Sequence, residues 1–126
     1  MQKIKKFRVW DNHDYMSKPF TLNELQAGLI QFDCACPIMQ FTGVTDKNGV
    51  EIYEGDIIGS EEGDANIRYI SHHKIVWHDS GFMGKQICSN GSFIGIDYWT
   101  RGDKGYVVIG NIYQNPDLLG ATNGKD

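Results

Sequence analysis

At 126 residues the chain has the length of a single domain, and a chain of that size buries roughly two thirds of its unfolded surface without a disulfide or metal staple. An apolar content of 40% with 15 glycines and 3 prolines suits a loop-rich globular protein, and its short apolar runs exclude a transmembrane helix. The formal net charge of -4 argues against a dedicated duplex-DNA binder, whose affinity comes largely from neutralising phosphates.

The start, Met1-Gln2-Lys3-Ile4-Lys5-Lys6, lacks the apolar core and cleavage site of a signal peptide. Three cysteines, Cys34, Cys36 and Cys88, are an awkward number for a secreted disulfide framework. Both features place the protein in the cytoplasm. Charge is unevenly spread. Lys3, Lys5, Lys6 and Arg8 form a basic arm, whereas Asp46, Glu51, Glu54, Asp56, Glu61, Glu62 and Asp64 form an acidic middle. Such asymmetry could serve self-association or partner choice, although two ordinary solvated faces are the better account of it.

In chain order, Phe7 and Val9 alternate with Lys6, Arg8 and Trp10, which predicts a strand. Asp11-Asn12-His13-Asp14 is a polar turn. Tyr15 to Phe20 is read as a second short strand, ending where Pro19 removes a donor. Thr21-Leu22-Asn23-Glu24 matches a capping box. Leu22, Leu25 and Leu29 supply a helical stripe, and Gly28 is placed to end this helix early.

Beyond Gln31 the pattern is one of strands and turns. Asp46-Lys47-Asn48-Gly49 predicts a tight hairpin between Phe41 and Ile52, and Glu54-Gly55-Asp56 punctuates the chain before Ile57-Ile58. Glu61 to Asn66 is an acidic loop. Lys74 to Trp77 is a strand, joined by a three-residue connection, Asp79-Ser80-Gly81, to Phe82. Asn90-Gly91 predicts a hairpin between Ile87-Cys88 and Phe93-Ile94. Arg101 to Gly105 is another turn. Tyr106 to Ile112 is apolar on both faces, as a central strand should be. After Pro116 come Leu118-Leu119 and a polar tail, residues 120–126, expected to fray. Short strands separated by regular turns indicate a mostly β protein with a small antiparallel barrel or sandwich. One domain fits best, with residues 1–38 as a strand-and-helix portion and 39–119 as the β portion.

Three stretches carry a family resemblance. They are Lys6-Phe7-Arg8-Val9-Trp10-Asp11, the run from Met39 to Asp56, and Val108-Ile109-Gly110-Asn111-Ile112-Tyr113-Gln114-Asn115-Pro116-Asp117-Leu118-Leu119. In wording and order they resemble the YopX family of phage and prophage proteins. Trp77 and Phe82, on either side of a turn, resemble a recurrent strand–turn–strand. The resemblance implies a mostly β fold with an SH3-like antiparallel barrel in the C-terminal part, and a phage or prophage origin in a bacterial host. It brings no reaction, cofactor or catalytic residue.

Several constellations invite chemical readings. Cys34, Cys36 and Cys88 with His72, His73 and His78 hold zinc-ligand chemistry, but Cys-x-Cys is tighter than usual and adjacent histidines on a strand point to opposite faces. Buried thiols and surface histidines explain them better. Asp46 to Gly49 has the composition of a calcium loop, yet its glycine comes fourth where that loop needs it sixth. Asn90-Gly91-Ser92 is formally a glycosylation acceptor and Arg101-Gly102-Asp103 an adhesion-type tripeptide, and both read as turns. A Cys88–His72 or Cys88–His78 nucleophilic pair lacks supporting local wording.

The expectation is therefore a non-enzymatic module without cofactor or metal, acting through protein contact with itself or with a host or phage protein. Tyr15, Tyr53, Trp77, Tyr98 and Trp99 are the amphipathic aromatics available for a hot spot, with Tyr98, Trp99 and Arg101 as the first choice of interface. The alternative is single-stranded nucleic-acid binding through Phe7, Arg8, Trp10, Arg68, Lys74, Trp77 and Lys85 on a basic, aromatic face.

Overall fold

The alternation at the N-terminus becomes β1 (Lys6–Val9), with Val9 buried and the Phe7 ring 6.3 Å from that of Phe20 in β2 (Phe20–Thr21). The computed structural model describes residues 5–13, 15–32, 35–62, 68–87, 93–95 and 106–121, in backbone only at 60–62, 68–71, 120 and 121. Between β1 and β2 the expected strand contracts to a single bridge, Trp10 with Met16. Asp11 Oδ1 accepts the amides of His13 and Tyr15, and Ser17 Oγ accepts the Val9 amide. Side-chain oxygens thus compete with the ladder for its donors, and Pro19 has none to give.

The capping box forms as read. Thr21 Oγ1 accepts the Glu24 amide and Glu24 Oε1 accepts the Thr21 amide, opening α1 (Leu22–Gln26). Gly28, at φ 79°, stops it.

β3 (Ile38–Thr45) and β4 (Glu51–Tyr53) form the expected hairpin. Asp46 organises its turn, because Oδ1 accepts the amides of both Asn48 and Val50. The remaining elements are β5 (Asp56–Glu62), β6 (Arg68–His78), β7 (Gly81–Gln86), β8 (Phe93–Ile94), β9 (Tyr106–Asn111) and α2 (Pro116–Ala121). All named strand pairs are antiparallel and build two sheets, β2-β1-β3-β4 and β8-β7-β6-β5-β9. The protein is mostly β, and among the described residues no strand pairing joins the two sheets into a closed barrel.

Packing joins them instead. Ile52 of β4 is buried with Ile58, Ile75 and Tyr106 of the five-stranded sheet, and Val44 of β3 packs against this cluster. The β3–β4 hairpin therefore lies on the inner face of the larger sheet, as in a sandwich.

Two further elements differ from the sequence reading. β9 is at the edge of its sheet and not central. Adjacent Tyr106 and Val107 are both buried and α2 approaches the strand at Gly110, while the Val108 amide donates to Asp46 Oδ2 at 2.9 Å. A carboxylate thus takes a strand donor and blunts the edge. The helix α2 is the other difference, since it starts at Pro116 and includes Gly120 and Ala121 of the expected tail. Proline at the first helical position has no amide to leave unpaired, but six residues are too few for the helical period to show in sequence. Residues 122–126 lie outside the described residues. Gly110 lets α2 approach, because a Cβ there would stand 2.5 Å from Asn115 Oδ1 and 3.0 Å from Leu118 Cδ1.

The β6–β7 connection is tighter than read. His78 pairs with Gly81, leaving Asp79 and Ser80 as a two-residue turn at φ 53° and 68°. A type I′ hairpin requires both central residues to be left-handed, a conformation costly for residues with a Cβ. Ser80→Gly is expected to raise stability by about 1 kcal/mol, read as a higher urea midpoint. A midpoint unchanged or lowered would show that the turn stores no strain.

Candidate functional site

The described ionisable and aromatic side chains concentrate at the corner where β4 passes into β5. Glu54-Gly55 must turn the chain from the small sheet into the large one. Gly55 adopts φ 90°, which a side chain rarely tolerates. Its amide donates to Ile75 O and its carbonyl accepts from Ile112, while the Glu54 amide donates to Gln40 O. One tight corner is thereby stitched to both sheets and to the segment after β9.

Asp56 follows the corner and is 1% exposed. Its Oδ2 accepts the Tyr53 amide at 2.7 Å and its Oδ1 accepts from Arg8 Nη2 at 2.5 Å. Arg8 reaches it from β1, with its guanidinium carbon 4.6 Å from the Tyr53 ring centroid. Beside this pair, Trp10 stacks on Tyr113 at 6.0 Å and 19°, and buried Met39 and Tyr53 complete the cluster. Lys6 pairs with Glu51 on the same side and lies 4.9 Å from the Phe41 centroid. The basic arm and the acidic middle therefore meet within one chain.

Burial pushes the Asp56 carboxyl above the ordinary 3.8, opposed by Arg8 and the Tyr53 amide. Burial and the hydrogen bond to Glu51 raise the Tyr53 phenol, and burial followed by the charge of Glu54 raises that of Tyr113. These groups are locked against one another, with the Arg8 and Asp56 side chains only 13% and 2% exposed. The corner is a joint, with its chemistry turned inward.

A second polar knot follows β9. Asn111 Oδ1 accepts the amides of Tyr113 and Gln114, and Asn115 Oδ1 accepts the Asn111 amide. This is the Asn-Ile-Tyr-Gln-Asn-Pro wording seen as geometry: it turns the chain from β9 into α2 and sets Tyr113 against Trp10.

The residues nominated from sequence separate. Tyr98, Trp99 and Arg101 lie outside the described residues, as do Cys34, Cys88, the Asn90-Gly91-Ser92 triplet and Arg101-Gly102-Asp103. Cys36 is a half-buried free thiol. His73 is buried with its ring edge-on to Tyr106, while His78 stacks on Phe93 at 4.1 Å. Among the described residues no three His, Cys, Asp or Glu side chains gather to hold a metal ion. Asp46 spends both carboxylate oxygens on backbone amides, so the segment that resembles a calcium loop is a turn.

Of the nucleic-acid residues, Arg8 and Trp10 are consumed by the joint, and Phe7 lines an apolar cleft of about 180 Å³ with Phe20, Leu22, Leu25 and Ile38. The side chain of Arg68 is not described. Lys74 and Lys85 face each other across β6 and β7. Trp77, 56% exposed, stands at the end of that hairpin with its ring edge-on to Phe82 at 4.9 Å and 82°. Sequence reasoning nominated Arg8 for a ligand and missed Asp56. The available signal was the pairing of a lone arginine in one motif with a carboxylate in another.

The three stretches that meet at the joint decide the family. The YopX protein family model matches residues 8–120. The chain belongs to the YopX family. It is also similar to a crystal structure, protein EF1440 from Enterococcus faecalis, with 27% identity and a TM-score of 0.62, covering 94% of this chain and 99% of that one. No curated protein matches it. The wording that marks this YopX chain is thus largely the wording of its internal joint.

Arg8→Met leaves a buried carboxylate with no counter-charge and is expected to cost about 3–5 kcal/mol, with Arg8→Met/Asp56→Asn recovering a large part. Equal losses in the single and double variants by urea denaturation would contradict a coupled pair. The pH dependence has a defined sign. Folded Asp56 holds its proton more tightly than the unfolded chain does, so stability falls as pH rises from 3.8 through the raised folded value. Asp56→Asn should remove that slope in a series of denaturation curves taken upward from pH 3.8.

Proposed function

We propose that this YopX protein is a non-enzymatic phage or prophage accessory module that acts in the host cytoplasm by protein–protein contact, with itself or with a host or phage protein. The observation that carries the reading is Trp77. An indole 56% exposed is a large apolar surface left in water, and it is held edge-on against Phe82 rather than free to turn. Rigid, exposed aromatics on a stiff element are what interface hot spots are made from, since little side-chain entropy is lost on binding. The strained Asp79-Ser80 turn directly follows the Trp77-His78 end of β6. Left-handed non-glycine residues tend to persist where a site requires them.

In this reading the β3–β9 portion is an SH3-like platform and the β6–β7 hairpin its contact edge. The signature motifs serve the frame, so binding falls to side chains outside them, among which Trp77 is the most exposed described aromatic.

Trp77→Ala tests the reading. The side chain is mostly outside the core, so folding should survive, while affinity for the partner or for a second copy should fall by about 2 kcal/mol or more. Oligomeric state by light scattering and partner capture from phage-infected cells, each with and without nuclease, are the readouts. Capture and oligomeric state both unchanged in a folded variant would refute it.

A further inference from the structure

Lys74 on β6 is directly opposite Lys85 on β7, and Lys85 is directly opposite Phe93 on β8. Like charges facing each other across neighbouring strands destabilise a sheet, so a ladder that aligns two lysines carries a cost that neutral residues would avoid. Ion pairs among the described residues include Lys6–Glu51 and Arg8–Asp56. Among those residues no carboxylate offsets either lysine of the opposed pair. Aromatic surface adjoins it. The Phe93 ring, 38% exposed, is stacked with His78 at 4.1 Å and 15°, and Lys85 Nζ is 5.8 Å from its centroid.

We propose that this β6–β7–β8 face binds single-stranded nucleic acid, with Lys74 and Lys85 on backbone phosphates and the Phe93–His78 pair as a stacking platform for a base. Paired cations beside stacked flat rings are the two halves of sequence-tolerant single-strand recognition. An acidic polypeptide would use the lysines and leave the rings without a role. Arg8 and Lys6 are spent within the chain on Asp56 and Glu51, and the cations on the described part of this face are the opposed lysines. The overall charge of -4 keeps the binding modest and sensitive to salt. This site is independent of the contact assigned to Trp77, and loss of either leaves the other standing.

The test is fluorescence anisotropy of the full chain with a labelled oligothymidine of about 20 nucleotides, between about 50 and 200 mM salt, beside a labelled polyglutamate of similar length. Two phosphate contacts predict a slope of about -1.4 in log K against log salt, which is about a sevenfold loss over that range. Lys74→Gln and Lys85→Gln should each lower the slope by about 0.7, and the double variant should abolish binding. Phe93→Leu should weaken binding at every salt concentration and leave the slope unchanged. The double lysine variant should also melt at the same or a higher temperature than the parent, because the opposed charges are gone. No binding at the lowest salt, a double variant that binds like the parent, or polyglutamate bound as tightly as the oligonucleotide would each overturn the proposal.

Discussion

A carboxylate that is 1% exposed survives at the start of β5 only because Arg8 and the Tyr53 amide both reach it. Taking a carboxylate out of water costs several kcal/mol, and a hydrogen-bonded counter-ion from the other sheet offsets part of that cost, burial still holding the carboxyl above its ordinary value. Arginine suits the role better than lysine would. Its guanidinium is always charged, is planar, and lies flat enough to sit against an aromatic ring while it bonds sideways, as Arg8 does on Tyr53. The interaction is weak evidence for stability in itself, since buried pairs often merely break even. Its consequence is geometric: β1 can take only the position from which Arg8 meets Asp56.

The neighbouring contacts depend on that position. With β1 placed, Trp10 falls against Tyr113 and Met39 lies beneath Gly55, where a Cβ would stand 3.4 Å from its sulfur. The backbone of Gly55 then bonds to Ile75 and Ile112. Segments 48 residues apart in sequence, as Arg8 and Asp56 are, are thereby brought to one point. Asp46 performs the same service at the opposite end of the hairpin, where one carboxylate closes the local turn and takes the Val108 amide 62 residues away. Two aspartates thus do what a continuous strand pairing would do in a closed barrel.

The pattern of successes in the sequence reading follows from range. Thr21-Leu22-Asn23-Glu24 and Asp46-Lys47-Asn48-Gly49 were legible because a capping box and a hairpin turn are satisfied by atoms three or four residues apart. The partner of Arg8 was not legible, because alternation assigns a charged residue to the solvent face and says nothing of a carboxylate elsewhere in the chain. β9 was misplaced to the sheet centre for a related reason. Burial of adjacent Tyr106 and Val107 fits the reading of a strand apolar on both faces, but apolarity alone does not say whether a strand has a neighbour on each side. At the β6–β7 turn, Gly81 suggested a longer connection, whereas Asp79 and Ser80 take the left-handed conformation and Gly81 joins the ladder. For the site, Trp77 and the two lysines were legible as residue types, but their separation from Arg8 and Trp10 needed the register.

Motif density and functional surface are therefore different things in this chain. A motif of Arg, Trp, Asp, Tyr and Asn resembles an active site because the same groups that polarise a substrate also satisfy one another. Which of the two they do is decided by where the hydrogen bonds end. Asp56 ends on Arg8 and Tyr53, Asn111 on Tyr113 and Gln114, and Asp46 on three backbone amides. Groups so fully engaged have little left to offer a ligand, and opening them would undo the joint that sets the two sheets. The opposed lysines, Phe93 and Trp77 are of the other kind, tolerated at some cost to the isolated fold and facing outward. A fold that confines its polar satisfaction to internal joints leaves such outward-facing side chains free to serve contact.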